Sequence, residues 1–313
     1  MKEGIVIITG ANSGIGKAAA IKFASEGFRV VMACRNRAIS QQAQQEIAAV
    51  SRSTNIDLLE LDVSSFESVR AFCSTFAANY PRLDILIHNA AYLNHGEKTY
   101  KLSPEHIELT FATNVFGPLL MTRLLADQLG KSQDPRILNA CTTNIKHFFD
   151  PKRKIEFDNL QGEFRDTRPY SVYKMYGDSK MALLMLTFKL AEQLKSRGIK
   201  VNALQINRVK ISQETIRKMS PFWRALARAQ NLTNPLPSGM ADNYYLICTS
   251  EQYKDATGKL FNHRREIVRA STRETGFAQL KNIFGSGSYP AYATDPVNVE
   301  KIWAMGSALT GEE

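Results

Sequence analysis

Short continuous apolar runs alternate along the chain with longer amphipathic ones. Gly4-Ile5-Val6-Ile7-Ile8 is brief, unbroken and β-branched, the pattern of a strand buried on both faces of a parallel sheet. Behind it Ile15, Ala19 and Phe23 recur at helical spacing, with Gly27 as a stop. The alternation then repeats: 28–34, 56–61, 83–87, 136–141 and 201–206 read as strands, and 39–50, 65–78 and 104–129 as helices between them. A later helix carries Leu183, Leu186, Leu190 and Leu194, an apolar stripe that buries one side. Strand and helix in regular succession predict an α/β fold, a doubly wound parallel sheet with helices on both faces.

Composition narrows the picture. A hydrophobic fraction of 44% suits a sizeable core, and the 313 residues contain no Pro/Ser-rich linker or repeat, so one domain is expected. No apolar stretch approaches the roughly 20 residues needed to span a bilayer, and Met1 leads almost directly into the first strand; a soluble, cytoplasmic protein is expected. Cys34, Cys73, Cys141 and Cys248 are scattered and read as reduced core or site-lining thiols, and the histidines show no ligand spacing, so no metal is expected. The net charge of +10 is concentrated: from Lys195 to Arg228 nine bases face the single acid Glu214. That excess fits a solvated helix face, or an anionic cofactor, acyl carrier or membrane surface nearby. No feature calls for nucleic acid.

Candidate chemistry begins at Thr9-Gly10-Ala11-Asn12-Ser13-Gly14-Ile15-Gly16, between the first strand and its helix. Glycines let the backbone approach a pyrophosphate, and unpaired N–H groups at the helix start supply positive potential. The second strand ends in Cys34-Arg35-Asn36-Arg37. An acid there would favour NAD; two guanidiniums suit the extra phosphate of NADP(H). Tyr176 and Lys180 lie four apart on a helix, hence on one face. A neighbouring cation is expected to lower the phenol's pKa from about 10, so that it can trade protons with a substrate oxygen.

The spacing T-G-x-x-x-G-x-G and Tyr176-Gly177-Asp178-Ser179-Lys180 resemble the short-chain dehydrogenase/reductase family. Val31-Met32-Ala33-Cys34-Arg35, Phe157-Asp158-Asn159-Leu160-Gln161-Gly162-Glu163 and Tyr292-Ala293-Thr294-Asp295-Pro296 resemble its retinol-dehydrogenase-like branch. The resemblance implies a Rossmann-type sheet in which Thr9, Gly10, Asn12, Ser13, Gly14, Ile15 and Gly16 cradle the cofactor. Arg35 and Arg37 then meet its 2′-phosphate, and Asp62 and Val63 its adenine. Asn89, Ala90, Tyr176, Lys180, Asn207 and Ser212 belong to the nicotinamide side. Asn114 bends its helix and holds a relay water, Thr142 stands where the family has its catalytic Ser, with Thr143 as the alternative, and Tyr176 and Lys180 complete the catalytic set. His88 and Ala91 depart from the family's N-N-A-G, and Asn207-Arg208 replaces its Pro-Gly turn.

The implied reaction is hydride transfer between the nicotinamide of NADP(H) and a carbonyl or alcohol of a hydrophobic substrate, possibly anionic or carrier-linked. The alternative is a catalytically weak NADP(H)-binding sensor on the same fold. Within the single domain 1–313, residues 1–206 hold cofactor and catalytic groups. Residues 207–258 form a substrate lid, with an apolar inner face (Met219, Phe222, Trp223, Leu226, Leu232) and a cationic outer one. The last strand and C-terminal helices fill 259–313. Lys152-Arg153-Lys154 forms a second wall of the pocket. Family habit implies a homo-oligomer, paired through the helices of Asn114 and Lys180, and the basic lid allows peripheral membrane contact.

Overall fold

A computed structural model describes residues 4–94, 96–164, 166–210, 216–217, 219, 221–271 and 287–312. The strands are β1 (Ile5–Thr9), β2 (Arg29–Cys34), β3 (Ile56–Glu60), β4 (Ile85–His88), β5 (Arg136–Thr142), β6 (Lys200–Ile206), β7 (Lys259–Phe261), β8 (Ile267–Ala270) and β9 (Ser288–Tyr289). They form one sheet in the order β3-β2-β1-β4-β5-β6-β7-β8-β9. All neighbours are parallel except β7 and β8. The last strand expected after residue 259 is therefore a β7–β8 hairpin with a two-residue edge, because Arg265, at φ 63°, turns the chain back.

The helices are α1 (Gly14–Ser25), α2 (Arg37–Ser51), α3 (Phe66–Asn79), α4 (Leu109–Phe111), α5 (Gly117–Leu124), α6 (Ala126–Gly130), α7 (Val172–Gln193), α8 (Pro221–Asn231), α9 (Ser238–Thr249) and α10 (Pro296–Thr310). One sheet face packs Phe72, Phe76, Phe116, Leu184 and Met185 from α3, α7 and the segment before α5. The other packs Ala19, Phe23, Ile47 and Tyr244 from α1, α2 and α9. The sheet order reverses between β1 and β4, and the crevice beyond their carboxyl ends is where a doubly wound fold places a ligand.

The helix expected over 104–129 starts later and is broken. His106 takes a left-handed φ of 58°, and Leu102 bridges Glu108, so 104–108 is a turn. The Glu108 carboxylate then caps α4 by accepting from the backbone N–H groups of Thr110 and Phe111. Residues Ala112–Phe116 widen into a π-helical turn around Asn114, and Gly117 follows because a side chain there would meet the Val63 carbonyl oxygen at 2.0 Å.

Helix α10 packs on both α5 and α7, the side through which a homo-oligomer is expected: a Cβ on Gly306 would stand 2.4 Å from Leu119, Arg123 stacks on Trp303 at 4.4 Å, and Lys189 pairs with Glu300 at 3.1 Å.

Candidate active site

The glycine corner is built for close approach. Gly10 (φ 67°) and Gly14 (φ 54°) occupy the left-handed region, and a Cβ on Gly16 would lie 2.4 Å from the Gly10 oxygen and 2.5 Å from Asn89 Nδ2. The Ser13 side chain makes no cap bond to α1, leaving its hydroxyl and the first-turn N–H groups for a ligand. Asn12 and Ile15 are partly exposed around it. A pyrophosphate fits this cradle, where nothing stands within 4 Å of the position of a Gly14 Cβ.

Two residues expected to touch cofactor also hold the scaffold through their side chains. Thr9 is 1% exposed; its Oγ1 donates to the Ile87 carbonyl and accepts from the N–H groups of Asn89 and Ala90, both at 2.9 Å. The Asn89 amide is equally committed: Nδ2 donates to the Thr9 carbonyl at 2.9 Å, and Oδ1 accepts from the Tyr244 hydroxyl at 3.1 Å. Both side chains face inward because β1 and β4 are joined here, so their part is to position the corner. Tyr244, on α9, was not singled out from the sequence.

Arg35 and Arg37 are exposed at the end of β2 and the start of α2. Arg35 reaches to 3.7 Å from the Asp62 carboxylate, so a carboxylate does stand near the guanidinium, supplied by the loop after β3. The other oxygen of Asp62 accepts from Ser64 N and Oγ, and Val63 is buried against Gly117. Arg37 lines a groove with Gln41, Gln44 and Leu58.

The catalytic candidates come together. Tyr176 is partly exposed, whereas Lys180, one turn on along α7, is 2% exposed, with Nζ 5.9 Å from the centre of the Tyr176 ring. Thr142 ends β5 with its hydroxyl close enough to the Tyr176 phenol to oppose the rise in the phenol's pKa; Thr143 already belongs to the next 3-10 turn. Nζ of Lys180 donates to the Ala140 carbonyl at 2.8 Å. Asn114 is fully buried: Oδ1 accepts from Tyr92 N at 2.7 Å, while Nδ2 donates to the Tyr92 carbonyl at 3.2 Å and to Ser179 Oγ at 3.1 Å. Its amide clamps the loop after β4 onto α7, which accounts for a polar residue in mid-helix.

The electrostatics differ from the expectation of an acidified phenol. Burial pushes Tyr176 up to about 12, only partly opposed by the Thr142 hydroxyl, and burial brings Lys180 down to about 8. Desolvation is the largest cause at both groups. His88, which replaces the first Asn of N-N-A-G, is buried with Nε2 2.8 Å from Thr122 Oγ1. Burial, followed by the Lys180 charge, holds it neutral at about 3.

Asp178, inside the Tyr176–Lys180 interval, is 1% exposed on its side chain and pairs with Arg153 at 2.6 Å and Lys174 at 2.9 Å. Of the basic triplet expected to line the pocket, Arg153 therefore ties the loop to α7. After β6, Asn207 and exposed Arg208 lead not into a tight turn but alongside another segment: Lys210 N donates to the Pro235 carbonyl at 2.8 Å, and Asn234 Nδ2 to the Val209 carbonyl at 3.4 Å. Ser212 lies outside the described residues.

In the lid, Ala227 and Met219 are buried and Trp223 packs on Tyr173 at 5.7 Å, but Phe222, Leu226 and Leu232 face outward. The outer face expected to be cationic is apolar along α8. Arg224 is turned back, donating to the carbonyls of Arg217 and Met219.

Residues 4–148 match the family model of the short chain dehydrogenases. The chain is 28% identical to human retinol dehydrogenase 13 over 98% of its own length and 85% of the relative's. It is 33% identical to the chloroplastic short-chain dehydrogenase TIC 32 A of Brassica napus, over 82% and 78%. Its fold matches a short chain dehydrogenase from Escherichia coli solved with NADPH, with a TM-score of 0.65 at 21% identity over 84% of this chain and 98% of the other. The tyrosine–lysine turn on α7, the glycine corner and these likenesses agree: the chain belongs to the short-chain dehydrogenase/reductase family, in the branch that includes retinol dehydrogenase 13.

Proposed function

We propose that the chain is an NADP(H)-dependent oxidoreductase that interconverts a carbonyl and an alcohol on a hydrophobic small molecule. The observation that carries this reading is the Thr142–Tyr176 hydroxyl pair, with buried Lys180 one turn away, beside a glycine corner open to a pyrophosphate. When bound, the nicotinamide supplies or takes the hydride. Tyr176, a phenol already protonated at neutral pH and raised further by burial, donates its proton to the carbonyl oxygen during reduction, and Thr142 holds that oxygen in place. Lys180 keeps a positive charge below the phenol, anchored by the Ala140 carbonyl.

Asn12, Ser13 and the N–H groups at the start of α1 would bind the pyrophosphate, and Arg35 and Arg37 a 2′-phosphate. Asp62, 3.7 Å from Arg35, would orient that guanidinium while reducing its net attraction. Aromatic and aliphatic groups at the lid, Trp223 against Tyr173 above all, favour an apolar substrate. The four cysteines are all buried free thiols, which agrees with a cytoplasmic location. Among the described residues no helix is long and apolar enough to cross a membrane.

The test is NADPH oxidation with a panel of ketones, aldehydes and enals, with Tyr176→Phe alongside. The expected result is turnover that falls by about 10²–10⁴-fold in the variant, while NADPH affinity is kept. Tight NADPH binding without Tyr176-dependent turnover on any substrate would return the chain to the sensor reading.

A further inference from the structure

Helix α8 presents the wrong face to water for a segment that only closes a pocket. At 100° per residue, Trp223 and Ala227 share the side that packs inward with Ile216 and Met219, and Phe222, Ala225, Leu226 and Ala229 form the adjoining side, where Phe222 also lies edge-to-face with Trp223 at 5.5 Å. That adjoining side is exposed: Phe222 at 71%, with Leu226, Ala225 and Ala229 also open. The exit from the helix adds Leu232 at 84% and Leu236 at 60%. Surface hydrophobics scattered singly need no explanation, but an apolar helical stripe continued by two exposed leucines does.

Bases predominate in the segment that carries this stripe. Between Gln205 and Ala241 the sequence holds six bases and a single acid. Arg208, Lys210, Arg217 and Arg228 are exposed, and among the described residues none of the four has an acid within ion-pair distance. Lys210 is fixed beside the second leucine, because its N–H bonds the carbonyl of Pro235. A helix with an apolar outer stripe flanked by exposed bases matches a negatively charged lipid surface, into which the stripe dips while the bases meet the headgroups. An apolar partner helix would explain the leucines and leave the bases without a purpose.

We infer that α8 and the segment leading out of it dock the protein on an anionic bilayer surface. This goes beyond the proposed reaction and does not depend on it. The placement does bear on substrate access. Trp223, on the inner side of α8, packs on Tyr173, which stands one turn before Tyr176 on α7, so a bilayer met by the outer side lies beside the candidate site's mouth.

The experiment is flotation of the full chain, without NADPH or substrate, with vesicles of pure phosphatidylcholine and of about three parts phosphatidylcholine to one of phosphatidylserine. The expected result is binding to the mixed vesicles only, weakened by salt. Phe222→Ser with Leu226→Ser should lower the partition by at least about tenfold. Arg217→Glu with Arg228→Glu should do so by a similar factor of about ten and remove the preference for phosphatidylserine. All four side chains are exposed, so circular dichroism should report an unchanged fold, and the native chain's salt dependence is read without any variant. A native chain that stays unbound on both vesicles overturns the inference, as does equal binding to both that the variants do not alter. Self-association of the chain that Phe222→Ser with Leu226→Ser abolishes, in the absence of vesicle binding, overturns it in favour of a second copy on this face.

Discussion

Replacing Tyr244 by Phe removes a single oxygen atom, and the structure gives that atom one task. The Tyr244 hydroxyl donates to Asn89 Oδ1 at 3.1 Å, from a ring with no exposure and neighbours on every side. Phenylalanine fills the same ring space, so no cavity term enters. What is lost is one neutral hydrogen bond, and Asn89 Oδ1 is left part-buried without its donor. Together these cost about 1–3 kcal/mol of stability. The loss should also reach the cofactor corner, because the Asn89 amide that the hydroxyl steadies is the group a Gly16 Cβ would strike at 2.5 Å, and its Nδ2 binds the Thr9 carbonyl. If about 1 kcal/mol of the loss is shared by the corner, NADPH affinity falls about fivefold. Urea unfolding followed by circular dichroism measures the first effect and titration of NADPH fluorescence the second. A cycle with Asn89→Ala should give a coupling energy of about 1 kcal/mol. An unfolding free energy within about 0.3 kcal/mol of the parent, with unchanged NADPH affinity, would refute the clasp.

Further outcomes follow from the same site. Because burial favours the neutral amine of Lys180, its proton leaves near pH 8 and not above 10, so carbonyl reduction should be level on the acid side and decline as pH rises through about 8. Lys180→Arg, which keeps its charge, should move that limb out of range, and a pH–rate profile of kcat/KM flat from about 7 to 10 in the parent would contradict this. Arg153→Ala should cost about 2–4 kcal/mol by denaturant unfolding, since Asp178 stays buried with Lys174 as its remaining partner. Gly16→Ala sets a methyl group against backbone and an immobile amide, and should abolish NADPH binding in the same fluorescence titration even if the chain still folds.

What could be read from the sequence is what local spacing encodes. The strands announced themselves because a parallel sheet covered on both faces asks for unbroken β-branched runs, and β1 is buried at every residue. Tyr176 and Lys180 could be paired in advance because four residues are one helical turn. The rest depends on neighbours that spacing cannot reach. Tyr244 and Asn89 are 155 positions apart, and Arg153 and Asp178 are 25 apart across a loop. The rise of the Tyr176 phenol comes from how much protein surrounds it, which no pair of residue types reveals. The packing of α10 on α5 and α7 was equally out of reach, because its own sequence shows an apolar side but not what it covers.

The lid shows the same limit at its sharpest. A strong apolar stripe on 221–231 was visible as composition, and the economical assumption was that it turned inward. Yet the small inner cluster needs only Ile216, Met219, Trp223 and Ala227, leaving Phe222 and Leu226 on the water side. Periodicity establishes that a helix has two faces; only the depth of core available decides which of them is covered. On α8 the apolar side is wider than its four-residue cluster, and the uncovered part, Phe222 and Leu226, is what something outside the chain would meet.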